Sequence, residues 1–445
     1  MTVPDDAGSA SNGIKVIIVG LGIAGLSAAI ECRRKGFSVV VYEKQPEFRR
    51  FDGDGIGIGT NGGMVTEKWG DGAFHDTIRQ LEYDSSKTKI WDHTGYCYGE
   101  FKFQGYHGNG YTVQRGALAS AMYDYAQTLG LPVFMNSTVS DYWENEEEAG
   151  VVVNGEKISA DCVFCAEGIN SRGSVIITGQ QNETKETGLA ATRGYLDATV
   201  TAQDDKLNWI FDDTETGDCL YAWIGPQVNI GITTKKKTKE LLCYCCHKVA
   251  ENGSEVFDHL MKCIDGWTER DKLEVIFRKV TETRFVSQKL LALKTPLKSW
   301  LSPGRRMIVI GDAAHATVPT SGQGGTQAIE DAAVLAIALE LAGKQDVPLA
   351  LSVAEKIRYQ RAQVIQQGGL AVLQYIMNDI DFESLRKDPT MMRPPNPSWI
   401  LKHDCQKYAY QEFNTVAEAI RQGTEYVPHN IPADDFRPES SFGGT

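Results

Sequence analysis

Three glycines and one carboxylate, set at fixed distances, mark a phosphate-binding turn near the start of the chain. Ile14 to Val19 (IKVIIV) is a near-continuous apolar run, as a parallel strand buried on both faces requires. It leads into Gly20-Leu-Gly22-Ile-Ala24-Gly25, then into LSAAIECRRKG at helical period, then into a second apolar run from Ser38 to Tyr42 that ends at Glu43. Strand, GxGxxG, helix, strand and acid together form the dinucleotide fingerprint. Gly20 makes the tight turn, Gly22 lets a pyrophosphate approach the backbone, and Gly25 packs the helix on the sheet. Glu43 is placed to accept hydrogen bonds from a ribose.

A second constellation lies far downstream, between Arg305 and Ala342. Met307 to Ile310 is an apolar run suited to a buried strand, and Gly311-Asp312 ends it. The loop that follows contains Pro319. Gly322, Gly324 and Gly325 allow the backbone to approach a ligand closely. A helix predicted from about Gly324 aims the positive end of its dipole at that ligand.

The fingerprint recurs as a bare pattern at Gly57-Ile-Gly59-Thr-Asn-Gly62, without an evident strand, helix or acid in the required places. Gly53 to Gly63 is therefore expected to be a glycine-rich loop and strand lying against a ligand. One full fingerprint implies one dinucleotide held in this way, and it serves NAD and FAD equally. No dehydrogenase catalytic set follows it. FAD requires further contacts to its ribityl chain, and the 305–342 stretch is suited to supply them.

The chain that positions these motifs has 445 residues, 42% hydrophobic and 23% charged, enough for a large core in one to three domains. A net charge of −13 argues against a nucleic-acid binder, which needs a basic face. The first 13 residues lack the features of a secretion signal, and no apolar run approaches a membrane span. A soluble cytoplasmic enzyme is expected, with its ten cysteines reduced. Cys243, Cys246, His259 and Cys263 match a C-x2-C-x12-H-x3-C zinc spacing. The stretch around them looks like two amphipathic helices broken at Asn252-Gly253, so no metal site is expected.

Residues 64–110 are rich in Tyr, Gly, Trp and His and are expected to form strands joined by turns. Ser137 to Ala160 is expected to be antiparallel strands, with Glu144 and Glu146–Glu148 at a solvated hairpin tip. Between about Gly173 and Thr295 the glycine motifs stop, and strands such as DCLYAWIG and VNIGITT alternate with turns, one of them at Gly225-Pro226-Gln227. A smaller sheet is expected there, forming a lid, with Arg193, Tyr221 and Trp223 as candidate pocket residues. SWILKHDCQKYAYQEFNTVAEAIRQ has the pattern of an amphipathic helix packing back on the body.

Together the motifs resemble the group A, salicylate hydroxylase-like, FAD-dependent monooxygenases, over nearly the whole chain. Residues 14–43 are similar to the family's FAD fingerprint. Gly311-Asp312-Ala-Ala-His315 with Pro319 and Gly322-Gln-Gly324-Gly325 resembles its second FAD motif. Gly55-Ile-Gly57-Ile resembles the stretch beside the flavin, Val113-Gln-Arg115 the segment whose arginine contacts FAD, and Arg358 and Arg361 the helix that closes the FAD domain. One motif departs. The family has Asp-Gly-x-x-Ser-x-x-Arg after its third strand and ties it to nicotinamide use. Here Glu167-Gly168-Ile-Asn-Ser171-Arg172 follows Cys162 to Ala166, which leaves NADH versus NADPH open.

The resemblance implies an α/β fold: a Rossmann-like FAD domain of the glutathione reductase type (14–172 and 296–375), an inserted α+β substrate domain (173–295), and C-terminal helices and tail (376–445) behind a short N-terminal segment (1–13). It implies FAD, NAD(P)H as co-substrate, and transfer of oxygen from a flavin C4a-hydroperoxide to an electron-rich aromatic ring. Thr192-Arg193-Gly194 lies where fungal secondary-metabolism members carry an active-site arginine. The implied substrate is a small aromatic molecule, most naturally an indole alkaloid epoxidised at its 2,3 bond. A phenol or polyketide hydroxylase, and a flavin dehydrogenase that inserts no oxygen, are the alternatives. The WxWxIP motif of flavin halogenases is absent, and Trp223-Ile-Gly-Pro226 does not supply it.

Overall fold

The computed structural model describes residues 13–48, 55–84, 87–102, 108–181, 183–202, 204–211, 218–250, 254–283, 285–389 and 396–432. Gly53, the Asn252-Gly253 turn, residues 1–12 and the tail beyond residue 432 lie outside them.

Short apolar runs build the central sheet. Its strands are ordered Met307–Val309, Cys162–Cys165, Lys15–Val19, Ser38–Tyr42, Val133–Phe134, all parallel. Lys15–Val19 sits in the middle, so the carboxyl ends of the inner strands open on one crevice, where ligands bind in this kind of sheet. Helix Ile23–Arg34 packs against helix Gly324–Ala342, which brings the two glycine motifs together in space. A three-stranded antiparallel sheet, Val139–Glu144, Ala149–Val153 and Glu156–Ala160, flanks this body as expected.

A second sheet among the described residues has seven strands. Their order is Phe285–Leu293, Thr184–Leu196, Glu240–Lys248, Val228–Lys235, Leu220–Gly225, Lys87–Asp92, Cys97–Lys102. Helices Val256–Cys263 and Arg270–Glu282 cover one face through Leu260, Ile264, Leu273, Ile276 and Phe277. The other face looks toward the glycine motifs. Its last two strands come from residues 87–102, so the sheet draws on chain well before residue 173.

Several local expectations are corrected. Residues 60–81 are helical, not extended: Thr60–Thr66 and Ala73–Leu81 flank a 3-10 turn. The second GxGxxG therefore does span a short strand, Gly55–Ile58, and a helix, but the strand pairs antiparallel with Tyr111–Gln114. Glu240–Lys248 is a strand, not a helix. The C-terminal pattern is broken into Ser398–Leu401 and Cys405–Gln422, the latter capped by Asp404, whose carboxylate accepts from Lys407 N. Glu144 is not solvated: it accepts hydrogen bonds from Ser302 Oγ, Gly304 N and Arg306 N. All ten cysteines are free thiols. Among the described residues, no helix is long and apolar enough to cross a membrane.

Candidate active site

The first turn is held by backbone geometry that only glycine satisfies. Gly20 has φ +101°, and a Cβ there would stand 2.5 Å from the Ala166 carbonyl oxygen. A Cβ on Gly25 would stand 1.9 Å from the Gly20 carbonyl oxygen, so this residue lets the helix start against the strand. Gly22 differs: a Cβ there would meet nothing within 4 Å. The fold leaves that space open, and it is where a dinucleotide phosphate needs to pass. Glu43 stands beside the same turn, its carboxylate accepting from Leu21 N at 2.8 Å and Gln45 N at 2.9 Å.

These facts separate two substitutions. Gly22→Val is expected to fold normally and to bind FAD at least about tenfold more weakly, a loss of about 1.4 kcal/mol. Gly25→Val is expected to lose the fold of the turn itself. Flavin retained on purification and thermal midpoint, measured together, check this. A Gly22→Val protein with full flavin content would overturn the assignment.

The second motif meets the first directly. A Cβ on Gly311 (φ +59°) would lie 2.7 Å from the Ala24 Cβ. Asp331, buried in helix Gly324–Ala342, fixes this loop: its carboxylate accepts from Gly311 N at 3.1 Å and meets His315 Nε2 at 2.6 Å. Asp312 is thereby presented on the cavity wall, open to the cavity yet ringed by protein. Burial raises its pKa, and the nearby His315 and Arg115 pull it back down. Gln366 Nε2 donates to the Ala316 carbonyl at 2.7 Å and steadies the approach to Pro319. Gly59 N donates to Thr326 Oγ1 at 2.9 Å, and a Cβ on Gly325 would touch Ile56. The early glycine stretch is thus fastened to the start of the long helix.

A single cavity of about 800 Å³ joins these parts. Gly22, Ala24, Gly57, Arg115, Asp312, Pro319, Gly322, Gly324 and Gly325 line one side. Leu220, Ala222, Ile224, Thr233, Arg193 and Tyr244 of the seven-stranded sheet line the other, and Tyr375, Ile376, Ile380 and Leu385 also line the cavity. The walls are mainly apolar. Arg193 is directly opposite Tyr244 on the neighbouring strand. Burial pushes the Tyr244 phenol well up, with Cys246 adding to it, so Tyr244 stays a protonated donor.

Two expected pocket residues are elsewhere. Tyr221 and Trp223 are buried on the opposite face of the sheet, stacked with Trp91 in the core under the helices. Side chains alternate along a strand, so Leu220, Ala222 and Ile224 face the cavity in their place. Tyr244 was missed for the complementary reason: ELLCYCCHK has no clean period, and its central residues are buried on both faces. Glu167 closes its own loop, accepting from Ser171 Oγ at 2.8 Å and Gly173 N at 2.7 Å. The N-cap of helix Arg172–Thr178 is Ser171, whose Oγ accepts from Ser174 N.

Comparison with known proteins agrees with this architecture. The family described as FAD binding domain matches residues 13–368. The FAD-dependent monooxygenase okaB of Penicillium ochrochloron is 62% identical, covering 98% of this chain and 98% of its own length. Notoamide E oxidase notB' of Aspergillus versicolor is 38% identical, over 96% of this chain and 95% of its own. The crystal structure of CtdE in complex with FAD and substrate 4 matches with a TM-score of 0.85 at 38% identity, covering 92% of this chain and 100% of that one.

Proposed function

The chain belongs to the FAD binding domain family and is an FAD-dependent monooxygenase of secondary metabolism, and from that premise we propose that it epoxidises the 2,3 bond of an indole alkaloid. The observation that carries this reading is the continuous apolar cavity from the fingerprint glycines to Arg193. The name of notoamide E oxidase, a full-length relative, points to the same substrate class.

The residues present fit FAD. The space at Gly22 and the carboxylate of Glu43 suit the ADP end. Asp312, Arg115 and the Pro319–Gly325 loop suit the ribityl chain and ring. When bound, FAD supplies the redox chemistry: with electrons from NAD(P)H it activates O2, so that one oxygen atom enters the substrate and the other leaves as water. The protein supplies position and field. The positive end of helix Gly324–Ala342 faces the cavity and favours negative charge there. Pro319 and the apolar sheet face keep water out. Arg193 faces the cavity from the sheet side, where its guanidinium would orient the substrate and donate to oxygen charge that develops as the C2=C3 pair is oxidised. Tyr244 is a second donor beside it.

A phenol hydroxylase gains from a base that takes the phenol proton. Among the described residues lining the cavity none is a histidine, and the one carboxylate, Asp312, belongs to the FAD motif. A neutral indole needs no such base, which favours it over a phenol. Flavin-loaded protein should be mixed with NADH or NADPH and panels of indole alkaloids and phenols. Indoles should stimulate nicotinamide and oxygen consumption and gain one oxygen in mass. Stimulation by phenols alone, or turnover without oxygen uptake, would sink the reading.

A further inference from the structure

We propose that the outer face of the seven-stranded sheet carries a zinc(II) site made by His247 Nδ1, His259 Nε2 and Cys263 Sγ. The ligand atoms of these three residues all lie within 4.8 Å of one another. His247 is on strand Glu240–Lys248, with its ring turned away from the cavity. His259 and Cys263 stand four apart on helix Val256–Cys263 and so share one face of it.

Three observations converge on an ion. The first is distance. His247 Nδ1 and His259 Nε2 are 3.1 Å apart, and His259 Nε2 and Cys263 Sγ are 3.4 Å apart. With Zn–N near 2.05 Å and Zn–S near 2.3 Å, these separations subtend about 100° at a common ion, close to tetrahedral. The second is the number of partners. His259 Nε2 has three polar neighbours, counting the Lys248 carbonyl at 2.9 Å, and a single ring nitrogen offers one proton or one lone pair. The same carbonyl stands 2.7 Å from His247 Nδ1 and accepts its proton, so binding an ion shifts the imidazole proton to Nε2, toward Thr192 Oγ1. A cation satisfies the nitrogens and the sulfur at once. The third is the outer support. His247 Nε2 is 2.9 Å from Thr192 Oγ1, which in turn is 2.8 Å from Ser287 Oγ. Such a bond on the second nitrogen fixes the ring of a metal-bound histidine.

Burial lowers the His247 pKa and keeps the ring neutral, as a ligand must be. Burial holds the Cys263 thiol up against the pull of Lys262, so binding releases its proton to solvent. His259 and Cys263 are half-buried, which gives the ion a path in, and water completes the fourth position. The C-x2-C pair of the sequence pattern takes no part: Cys246 faces the other side of the sheet, packed near Val318 and Leu373.

The test uses the flavin-loaded protein, stripped with chelator and titrated with Zn2+ against a chromophoric competitor, then with Co2+. One equivalent per chain is expected to bind. The cobalt form should show tetrahedral ligand-field bands at longer wavelength than the flavin absorbs. Loss of an outer-shell partner alone typically costs 10–100-fold in affinity, so Cys263→Ser and His259→Gln should each weaken binding at least about tenfold. Cys246→Ala should leave it unchanged. Flavin content and thermal midpoint confirm that each variant is folded. No saturable zinc binding by the wild type, or loss with Cys246→Ala but not with Cys263→Ser, would overturn the proposal.

Discussion

Arg193→Ala is expected to keep its flavin and to lose product formation, with kcat lower by about 100- to 1,000-fold. That is the usual cost of removing one donor aimed at developing oxyanion charge. Arg193 lies on strand Thr184–Leu196 and faces the cavity, whereas the glycine turns and Asp312 line the opposite wall. Its removal therefore leaves the FAD contacts intact, and the absorption of the bound flavin should not change. Arg193→Lys keeps the charge but not the planar fork, and should fall between the two. Tyr221→Phe is the matched contrast. Its hydroxyl lies on the far face of the sheet with Trp91 and Trp223, so kcat should stay within about twofold of wild type. Oxygenated product per unit of nicotinamide consumed is the measurement. Arg193→Ala turning over at the wild-type rate would remove this residue from the chemistry. A large loss in Tyr221→Phe would mean that the sheet face had been assigned the wrong way round.

That contrast also shows what was legible in the sequence. The fingerprint could be read because its demands are steric and local. Gly20 and Gly25 have no room for a Cβ, and the flanking apolar runs announce their strands. Asp312, Pro319 and Gly322–Gly325 could be read for the same reason, and the structure brings both motifs to one cavity. Tyr221 could not, because alternation shows that two faces exist without showing which is buried against helices and which against a ligand. The strand Glu240–Lys248 was hidden by burial on both faces, which removes the period that separates strand from helix. Helix Thr60–Thr66 (TNGGMVT) was hidden by its composition, since glycine and threonine are poor helix formers. It exists because of tertiary fit. A Cβ on Gly62 would stand 2.9 Å from Thr326, and one on Gly63 would stand 1.7 Å from the Asn109 carbonyl oxygen. Those contacts join segments far apart in the chain, and no local window contains them.

The same long-range dependence puts the largest stability effect at Arg358. Helix Gly324–Ala342 must start at the cavity, yet it carries Glu330 and Asp331 wholly inside the protein. Arg358 and Arg361, on helix Val347–Gln374, meet them there. Arg358 Nε donates to Asp331 Oδ1 at 2.9 Å, its Nη1 bonds Glu330, and its Nη2 donates to Gln327 Oε1 at 2.7 Å. Arg361 Nε donates to Glu330 at 3.0 Å. Burial alone raises the pKa of Glu330, but Arg361 and Arg358 outweigh it and hold the carboxyl far below its usual range. Asp331 is lowered as well: burial raises it, and His315 and Arg358 more than offset this. Arg358→Ala strands part of this charge, and breaking a buried pair from one side costs about 3–5 kcal/mol. Denaturant unfolding of the flavin-loaded protein reads this as a lower midpoint. Both carboxylates have folded pKa values below their unfolded ones. Their contribution is therefore complete above the unfolded values, about pH 4–5. It is lost as pH falls through the folded values. The wild type should lose stability on acidification below that range, and Arg358→Ala should lose less over the same interval because part of the coupling is already gone. Since Asp331 also anchors Gly311 N and His315, the variant should release FAD more readily than it loses secondary structure. An Arg358→Ala protein with wild-type midpoint and flavin affinity would show that the pair does not depend on Arg358.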